Sequence, residues 1–248
     1  MKEETFISIR KSLKKMRLSG MAEELTRQFE SKDIDLMSAD ERICRMITCE
    51  ETLRSEKKFH RFLKQSGLRY PAAVLDEKLF STERCDEPTL LNRLATSSDW
   101  IENGKNILIT GMTGTGKTTA ACALAVGAMH KFYTVRYKRC SYLLNELSQA
   151  EKENRLIEVL EKLQKIDILI LDDFGSMDLD MIRCRSLFEL IESREDRKTT
   201  IFISQFPTSS WYDMFPDNTF ADACMDRILN GSFRINLKGD SFRRQIRL

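Results

Sequence analysis

A glycine-rich segment carries the residues whose types and spacing point most directly to chemistry. Residues 111–118 read Gly-Met-Thr-Gly-Thr-Gly-Lys-Thr and fit the pattern G-x-x-x-x-G-K-[ST]. An apolar run at 106–110 precedes them and a run of small apolar residues at 119–126 follows, so we expect a strand, a loop and a helix in succession. Such a loop presents backbone N–H groups to an anion at the start of a helix. The segment therefore predicts a P-loop that binds the phosphates of a nucleoside triphosphate.

Two side chains of the predicted P-loop have distinct expected roles. Lys117 would neutralise the β- and γ-phosphates, and the hydroxyl of Thr118 would ligate Mg²⁺. The expected nucleotide-binding residues are Gly111, Met112, Thr113, Gly114, Thr115, Gly116, Lys117, Thr118 and Thr119.

A pair of acidic residues follows a second strand pattern. Four consecutive aliphatic residues at 168–171 end in Asp172 and Asp173. Parallel strands buried on both faces show such aliphatic runs, and open α/β sheets bind ligands at the carboxyl ends of their strands. We therefore expect Asp172 to hold Mg²⁺ and Asp173 to orient or deprotonate an attacking water. Capping of the next helix would explain an isolated acidic pair, but not its combination with a P-loop.

Two later positions carry polar residues that could complete the site. The strand predicted at 199–205 ends in Ser204 and Gln205, and either side chain could reach the γ-phosphate or simply begin a turn. Arg227 lies on a helix predicted at 221–229, just before the last strand. This arginine could act as an arginine finger in the site of a neighbouring subunit, or it could form an ion pair on its own surface.

The first part of the chain predicts helices. Residues 5–16 and 21–29 have apolar residues at helical spacing. Ser38 and Glu41 then fit a capping box that opens a long helix, which we expect to stop near Gly67 and either to run unbroken or to break near residues 56–58.

Three basic residues of this long helix form a candidate nucleic-acid surface. Arg54, Lys58 and Arg61 follow the spacing i, i+4, i+7 and therefore share one face. Glutamates at 50, 51 and 56 make an ordinary solvated helix nearly as good an interpretation. Arg243 and Arg244 near the end of the chain could also contact nucleic acid or a phosphate.

The succession of elements predicts an α/β fold of the P-loop NTPase class, with a parallel five-stranded sheet flanked by helices. We expect a small all-helical N-terminal domain at 1–72, a linker with one short helix at 73–105, and the nucleotide-binding domain at 106–248. We expect no C-terminal helical lid after the last predicted strand, 233–237.

The composition is that of a globular protein, with 42% hydrophobic and 31% charged residues and a formal net charge of +2. No apolar run approaches the ~20 residues that a membrane span needs, so no membrane partner is expected. The seven cysteines are odd in number and none forms C-x-x-C, and only two histidines are present, so a zinc site has little basis. We expect reduced thiols and a cytoplasmic location.

Several motifs together resemble those of the IstB-like ATPases, the AAA+ helper proteins of a class of bacterial insertion sequences. The DnaC-type helicase loaders are similar but share fewer of them. The motifs are Met-Arg-Leu-Ser-Gly-Met-Ala at 16–22, Trp-Ile-Glu-Asn-Gly-Lys-Asn at 100–106, Leu-Asp-Asp-Phe-Gly at 171–175, Ser204-Gln205 within 200–207, Asp-Arg-Ile at 226–228 and Leu-Lys-Gly-Asp-Ser-Phe-Arg at 237–243.

The resemblance implies an AAA+ ATPase that binds ATP and Mg²⁺ and assembles on duplex DNA as a homo-oligomer with ATP between subunits. It also implies a transposase of the same element as partner. By this match Arg227 is the favoured arginine finger and Ser204 the favoured sensor residue. Asp173 replaces the glutamate that is usual in the wider AAA+ class, and its shorter side chain predicts slow hydrolysis, with ATP acting chiefly as an assembly switch.

Two other functions are compatible with a P-loop domain. A helicase loader would use the same ATPase core but bind the replicative helicase through residues 1–70. A small-molecule kinase would need a phosphoacceptor pocket and usually an arginine-rich lid, and the short tail after Leu237 argues against it.

Overall fold

The computed structural model describes residues 3–31, 37–75 and 81–242. The chain forms two compact units, Met1–Arg61 and Phe62–Leu248. The division of the chain at residues 72 and 105 stays a prediction.

The first unit consists of helices, as the sequence predicts. They are α1 (Glu3–Lys15), α2 (Ser19–Glu30) and α3 (Ala39–Ser66), the last of which continues beyond Arg61. The capping box at the start of α3 is confirmed, since the Ser38 amide donates to Glu41 Oε2 (2.9 Å) and the Glu41 amide donates to Ser38 Oγ (3.2 Å). The long helix runs unbroken through residues 56–58.

The close packing of α2 on α3 explains why the Leu-Ser-Gly-Met-Ala motif contains a glycine. A Cβ on Gly20 would lie 2.7 Å from the carbonyl oxygen of Cys49 and from Cα of Glu50, so only glycine lets α2 approach α3 this closely. Glu50 Oε2 accepts hydrogen bonds from the amides of Gly20 (2.7 Å) and Met21 (3.3 Å), which satisfies free N–H groups at the start of α2. Phe6, Leu13, Ala22 and Leu25 form the small apolar core of this unit.

The second unit contains a parallel sheet with helices between its strands. Its elements are α4 (Pro88–Thr96), α5 (Asp99–Glu102), β1 (Ile107–Gly111), α6 (Lys117–His130), β2 (Val135–Arg139), α7 (Cys140–Lys152), α8 (Leu156–Gln164), β3 (Ile168–Asp172), α9 (Met181–Arg194), β4 (Thr199–Ser204), a 3₁₀ helix (Thr208–Met214), α10 (Asn218–Leu229) and β5 (Phe233–Leu237). The region before β1 therefore holds two short helices where the sequence predicts one, because the chain turns at residues 97–98.

The sheet has the strand order β2-β3-β4-β1-β5, and every neighbouring pair is parallel. This confirms the predicted five-stranded parallel sheet. All residues of β3 and β4 are buried, which explains the aliphatic run at 168–171 and the apolar centre of β4 at 201–203. Because the strands are parallel, β1, β3 and β4 deliver Gly111, Asp172 and Ser204 to one edge of the sheet.

A buried arginine joins the elements near the opposite edge. Arg194 is 2% exposed and donates to the carbonyls of Leu163 (2.6 Å), Ile166 (2.9 Å) and Thr199 (2.6 Å) and to the Thr200 hydroxyl (3.1 Å). Burial lowers the pKa of Arg194 to about 9, so the side chain still carries its charge at neutral pH. The guanidinium thus ties the turn between α8 and β3 to the start of β4.

No helix within the described ranges is long and apolar enough to cross a membrane. All seven cysteines are free thiols.

Candidate functional site

The predicted P-loop connects β1 to α6. Three of its glycines have positive φ, with values of 138° at Gly111, 88° at Gly114 and 98° at Gly116. These angles favour glycine and allow the loop to turn tightly into the helix. The buried Thr115 hydroxyl donates to the carbonyl of Met112 (2.9 Å), which braces the loop from within. The loop therefore has the glycine-dependent shape that phosphate binding requires.

The two side chains of the loop with predicted roles, Lys117 and Thr118, lie at the start of α6. Lys117 Nζ donates to the carbonyls of Gly111 (2.6 Å) and Met112 (2.7 Å), so its ammonium group is held at the loop itself. Thr118 Oγ1 donates to Asp172 Oδ2 (3.0 Å), a residue 54 positions away in the chain. The fold thus brings the predicted metal ligands, Thr118 and Asp172, into direct contact.

Asp172 lies at the end of β3 and is 2% exposed. Besides the Thr118 hydroxyl, its carboxylate accepts a hydrogen bond from the Tyr137 hydroxyl (2.6 Å) and one from the amide of Asp173 (2.9 Å). Burial, together with this carboxylate, raises the pKa of Tyr137, so the phenol stays protonated and remains a donor. Carboxylate and hydroxyl oxygens are suitable ligands for Mg²⁺, and the Thr118–Asp172 pair at a P-loop fits that cation.

Asp173 lies beside this site but is far more exposed. Its backbone has φ 59°, a left-handed conformation that aspartate tolerates better than most residues. The side chain is 58% exposed, and Oδ2 lies 3.7 Å from Nε of Arg139. Asp173 is therefore loosely held at the carboxyl edge of the sheet, next to the buried Asp172.

The two polar residues at the end of β4 have different partners. Ser204, favoured by the resemblance, is fully buried, and its hydroxyl donates to the carbonyl of Phe174 (2.7 Å). The same oxygen accepts from Trp211 Nε1 (3.2 Å) and from the amide of Phe206 (3.1 Å). Gln205 instead reaches the P-loop, where its Oε1 accepts from the Thr113 hydroxyl (3.0 Å). Ser204 thus braces the turn after β4, and Gln205 is the side chain of the pair that contacts the P-loop.

Arg227 does not approach the P-loop of its own chain. Its side chain is 24% exposed and lies near two glutamates of the α9 region, with Nη2 3.3 Å from Glu192 and Nε 3.2 Å from Glu195. The Asn106 side chain donates to the Arg227 carbonyl (3.2 Å) and accepts from the Thr200 amide (3.2 Å). Asn106 directly precedes β1, so Arg227 lies at the amino edge of the sheet, opposite the P-loop.

The basic residues proposed to contact nucleic acid lie on α3 and near the end of the chain. Arg54 Nε donates to Glu50 Oε1 (2.6 Å), and its Nη2 reaches the Arg17 carbonyl (3.5 Å). Lys58 and Arg61 also have interaction partners. Arg243 and Arg244 lie outside the described residues. Arg54 therefore helps to hold the helices of the first unit together, whether or not it also contacts DNA.

The Lys-Gly-Asp-Ser motif near the C-terminus packs against the P-loop. The Phe242 amide donates to the Gly114 carbonyl (3.0 Å), and a Cβ on Gly114 would lie 2.0 Å from Ser241 Oγ. Arg84 holds this segment by donating to the Asp240 carbonyl (3.0 Å), with its guanidinium 4.1 Å from the centre of the Phe242 ring. No local pattern in the sequence predicts this contact.

The chain is similar to ATP-binding proteins of insertion sequences. It is 34% identical over 232 residues to the insertion sequence ATP-binding protein y4uH of Sinorhizobium fredii, covering 94% of this chain and 93% of that protein. It is 36% identical over 198 residues to the ATP-binding protein of insertion sequence IS1162 of Pseudomonas fluorescens, covering 80% of this chain and 85% of that protein.

Solved structures show the same fold at low sequence identity. The DnaC helicase loader superposes with a TM-score of 0.53 at 16% identity, covering 72% of this chain and 99% of that one. DnaI superposes with a TM-score of 0.56 at 18% identity, covering 72% and 94%. The profile of the IstB-like ATP binding protein family matches residues 11–248. The chain is therefore a member of the IstB-like ATP-binding protein family, with an AAA+ fold.

Proposed function

We propose that this protein is an ATP-dependent, DNA-binding AAA+ ATPase that assists the transposase of an insertion sequence. The observation that carries the nucleotide part is the hydrogen bond between Thr118 and Asp172, behind a P-loop that holds Lys117. The proposed role in an insertion sequence is supported by the similarity to relatives that are named as ATP-binding proteins of insertion sequences.

In this proposal the residues of the P-loop bind the phosphates of ATP. The backbone N–H groups of the loop and the start of α6 face the phosphates, and Lys117 turns from its loop carbonyls to neutralise their charge. Mg²⁺ would supply further charge neutralisation when bound, and Thr118 and Asp172 are the residues that would hold it. Gln205, rather than Ser204, would sense the γ-phosphate because it contacts the loop.

Asp173 is proposed to orient the attacking water during hydrolysis. Its side chain is exposed and lies 3.7 Å from Arg139, so it is not preorganised as tightly as Asp172. A loosely held base predicts slow turnover, which suits a protein in which ATP acts mainly as a switch for assembly.

The position of Arg227 supports a site shared between subunits. A five-residue strand, roughly 16 Å long, separates the amino edge of the sheet from the P-loop, which exceeds the reach of an arginine side chain. Arg227 is accordingly proposed to complete the ATP site of the neighbouring subunit in a homo-oligomer. Its ion pairs with Glu192 and Glu195 would have to open or rearrange on assembly, which couples ATP to subunit contact.

Duplex DNA and the transposase of the same element are the proposed partners. DNA would be bound through its phosphates, with Lys58 and Arg61 of α3 and the basic residues after Phe242 as the candidate contacts. A helicase loader remains the alternative, but the DnaC and DnaI structures match at under 20% identity, whereas the insertion-sequence relatives exceed 30%.

The proposal is tested by measuring the anisotropy of two labelled duplexes of unrelated sequence, with and without ATP. We expect tighter binding with ATP, steep weakening with salt and similar affinities for both duplexes. Binding confined to one sequence, or unaffected by ATP, would contradict it. Affinity capture with purified transposase and, separately, with replicative helicase distinguishes the two partner assignments.

A further inference from the structure

The Tyr137 hydroxyl is a partner of Asp172 that the P-loop pattern does not include. Strands β2 and β3 are parallel, and Tyr137 is aligned with Ile170, two residues before Asp172. Residues two apart on a strand point to the same face, so the long tyrosine side chain can extend along the sheet to the carboxylate. Its hydroxyl ends 2.6 Å from Asp172 Oδ2, the oxygen that also accepts from Thr118.

The hydrogen bonds to Asp172 determine how its carboxylate is presented. A carboxylate offers about four acceptor positions. Within the described residues three donors bind this one: the hydroxyls of Tyr137 and Thr118 on Oδ2 and the amide of Asp173 on Oδ1. This arrangement fixes the plane of the carboxylate and leaves about one position open on Oδ1. A side chain that only filled space at this point would need no hydroxyl.

Arg69 approaches the same group from the segment after α3. Its guanidinium lies against the Tyr137 hydroxyl and is attracted by the charge of Asp172. The chain just after Arg69 packs on α6, because Ala73 forms a buried apolar cluster with Cys122 and Ala123 of that helix. Arg69 is therefore anchored beside the helix that begins at the P-loop, within reach of the phenol.

We propose that Tyr137 is a positioning residue that orients Asp172 for the metal ion of the ATP complex, and that Arg69 holds Tyr137 in place. This inference rests on the proposed assignment of Thr118 and Asp172 to Mg²⁺. Residues that orient a metal ligand typically change metal affinity by 10–100-fold when they are removed. Tyr137→Phe removes the hydroxyl and keeps the ring, so it isolates the positioning effect.

The test is titration of a fluorescent ATP analogue against the full-length protein, in MgCl₂ and in EDTA. We expect Tyr137→Phe to weaken Mg²⁺-dependent binding about tenfold and to leave binding in EDTA unchanged. Asp172→Asn should abolish the Mg²⁺ enhancement. Tyr133→Phe is the matched control, since it also removes a hydroxyl bound to a carboxylate, that of Glu102 (3.0 Å), and it should behave as wild type.

Two results would overturn the inference: a wild-type Mg²⁺ titration for Tyr137→Phe, or equal weakening in MgCl₂ and EDTA, which is the mark of a purely structural role. Absence of any Mg²⁺ enhancement in the wild-type protein would instead refute the proposed metal site itself. For Arg69, we expect the double variant Arg69→Met/Tyr137→Phe to bind no more weakly than Tyr137→Phe alone. Additive losses would show that Arg69 does not act through Tyr137.

Discussion

Thr118 Oγ1 lies 3.0 Å from Asp172 Oδ2, which joins the first turn of α6 to the end of β3. The carboxylate is almost fully buried, so each hydrogen bond that it accepts matters to folding as well as to binding. This contact links the stability of the nucleotide-free protein to the geometry of its proposed metal site.

Thr118→Val should therefore destabilise the protein even without nucleotide. Valine has a similar shape but leaves the buried carboxylate short of one donor, at a cost of about 1–3 kcal/mol. Thr118→Ser keeps the hydroxyl and is the control. Urea unfolding in EDTA measures the effect, and equal stability of the two variants would contradict the role given to this hydrogen bond.

Glu50 should make the stability of the first unit depend on pH. Burial acts to raise the pKa of Glu50, but hydrogen bonds from Arg54 and from the amides of Gly20 and Met21 outweigh it, and the pKa is lowered from 4.5. Because the pKa of this carboxyl is lower in the folded state than in the unfolded state, the group stabilises the fold at pH values above its unfolded-state pKa. That stability is lost as the pH falls through the folded-state pKa.

The measurement is chemical unfolding of wild type and Glu50→Gln across pH, followed by a probe placed in the helical unit. The free energy of unfolding of wild type should exceed that of Glu50→Gln by a constant amount above pH 4.5, and this difference should shrink at lower pH. A difference that does not change with pH would mean that the carboxylate charge is not what caps α2.

Gly20→Ala should disturb the packing of α2 on α3. The new Cβ would meet backbone atoms at 2.7 Å, and such overpacking typically costs about 1–3 kcal/mol. Gly127→Ala is the matched control, because a Cβ there meets nothing within 4 Å and alanine favours the helix by roughly 0.5–1 kcal/mol. In thermal unfolding, we expect Gly20→Ala to lower the melting temperature and Gly127→Ala to raise it. A stabilising Gly20→Ala would contradict the close approach.

Arg227→Ala should leave ATP binding by the monomer intact but impair assembly and hydrolysis. Arg183→Ala is the control, since Arg183 is 29% exposed and pairs with Asp180 on the same helix face. Mixing Arg227→Ala with Lys117→Ala subunits gives the sharper test: the first supplies an intact P-loop and the second an intact Arg227. Recovery of ATPase activity on mixing is expected if Arg227 acts between subunits, and its absence would favour a role confined to one chain.

How far the sequence predicts this site depends on whether each signal is local. The P-loop and Asp172 follow from short patterns whose flanking strand and helix are visible in the sequence. Tyr137 could not be predicted, because its role requires β2 to lie beside β3, and strand order is not encoded locally. The different positions of Ser204 and Gln205 likewise depend on the folded chain, because Ser204 bonds Phe174 and Trp211 whereas Gln205 bonds Thr113 of the P-loop, 92 residues away. The pairing of Arg54 with Glu50 is one of the two interpretations that the helix spacing offers, but the bonds from Glu50 to the start of α2 have no local signal.

The central claim, that ATP controls assembly on DNA, is tested most directly by electron microscopy of the protein with duplex DNA. The specimens are wild type with a non-hydrolysable ATP analogue, wild type without nucleotide, and Lys117→Ala with the analogue. We predict regular oligomers on DNA only in the first specimen. Equally regular oligomers in the Lys117→Ala specimen would contradict the account, because the P-loop would then have no part in assembly.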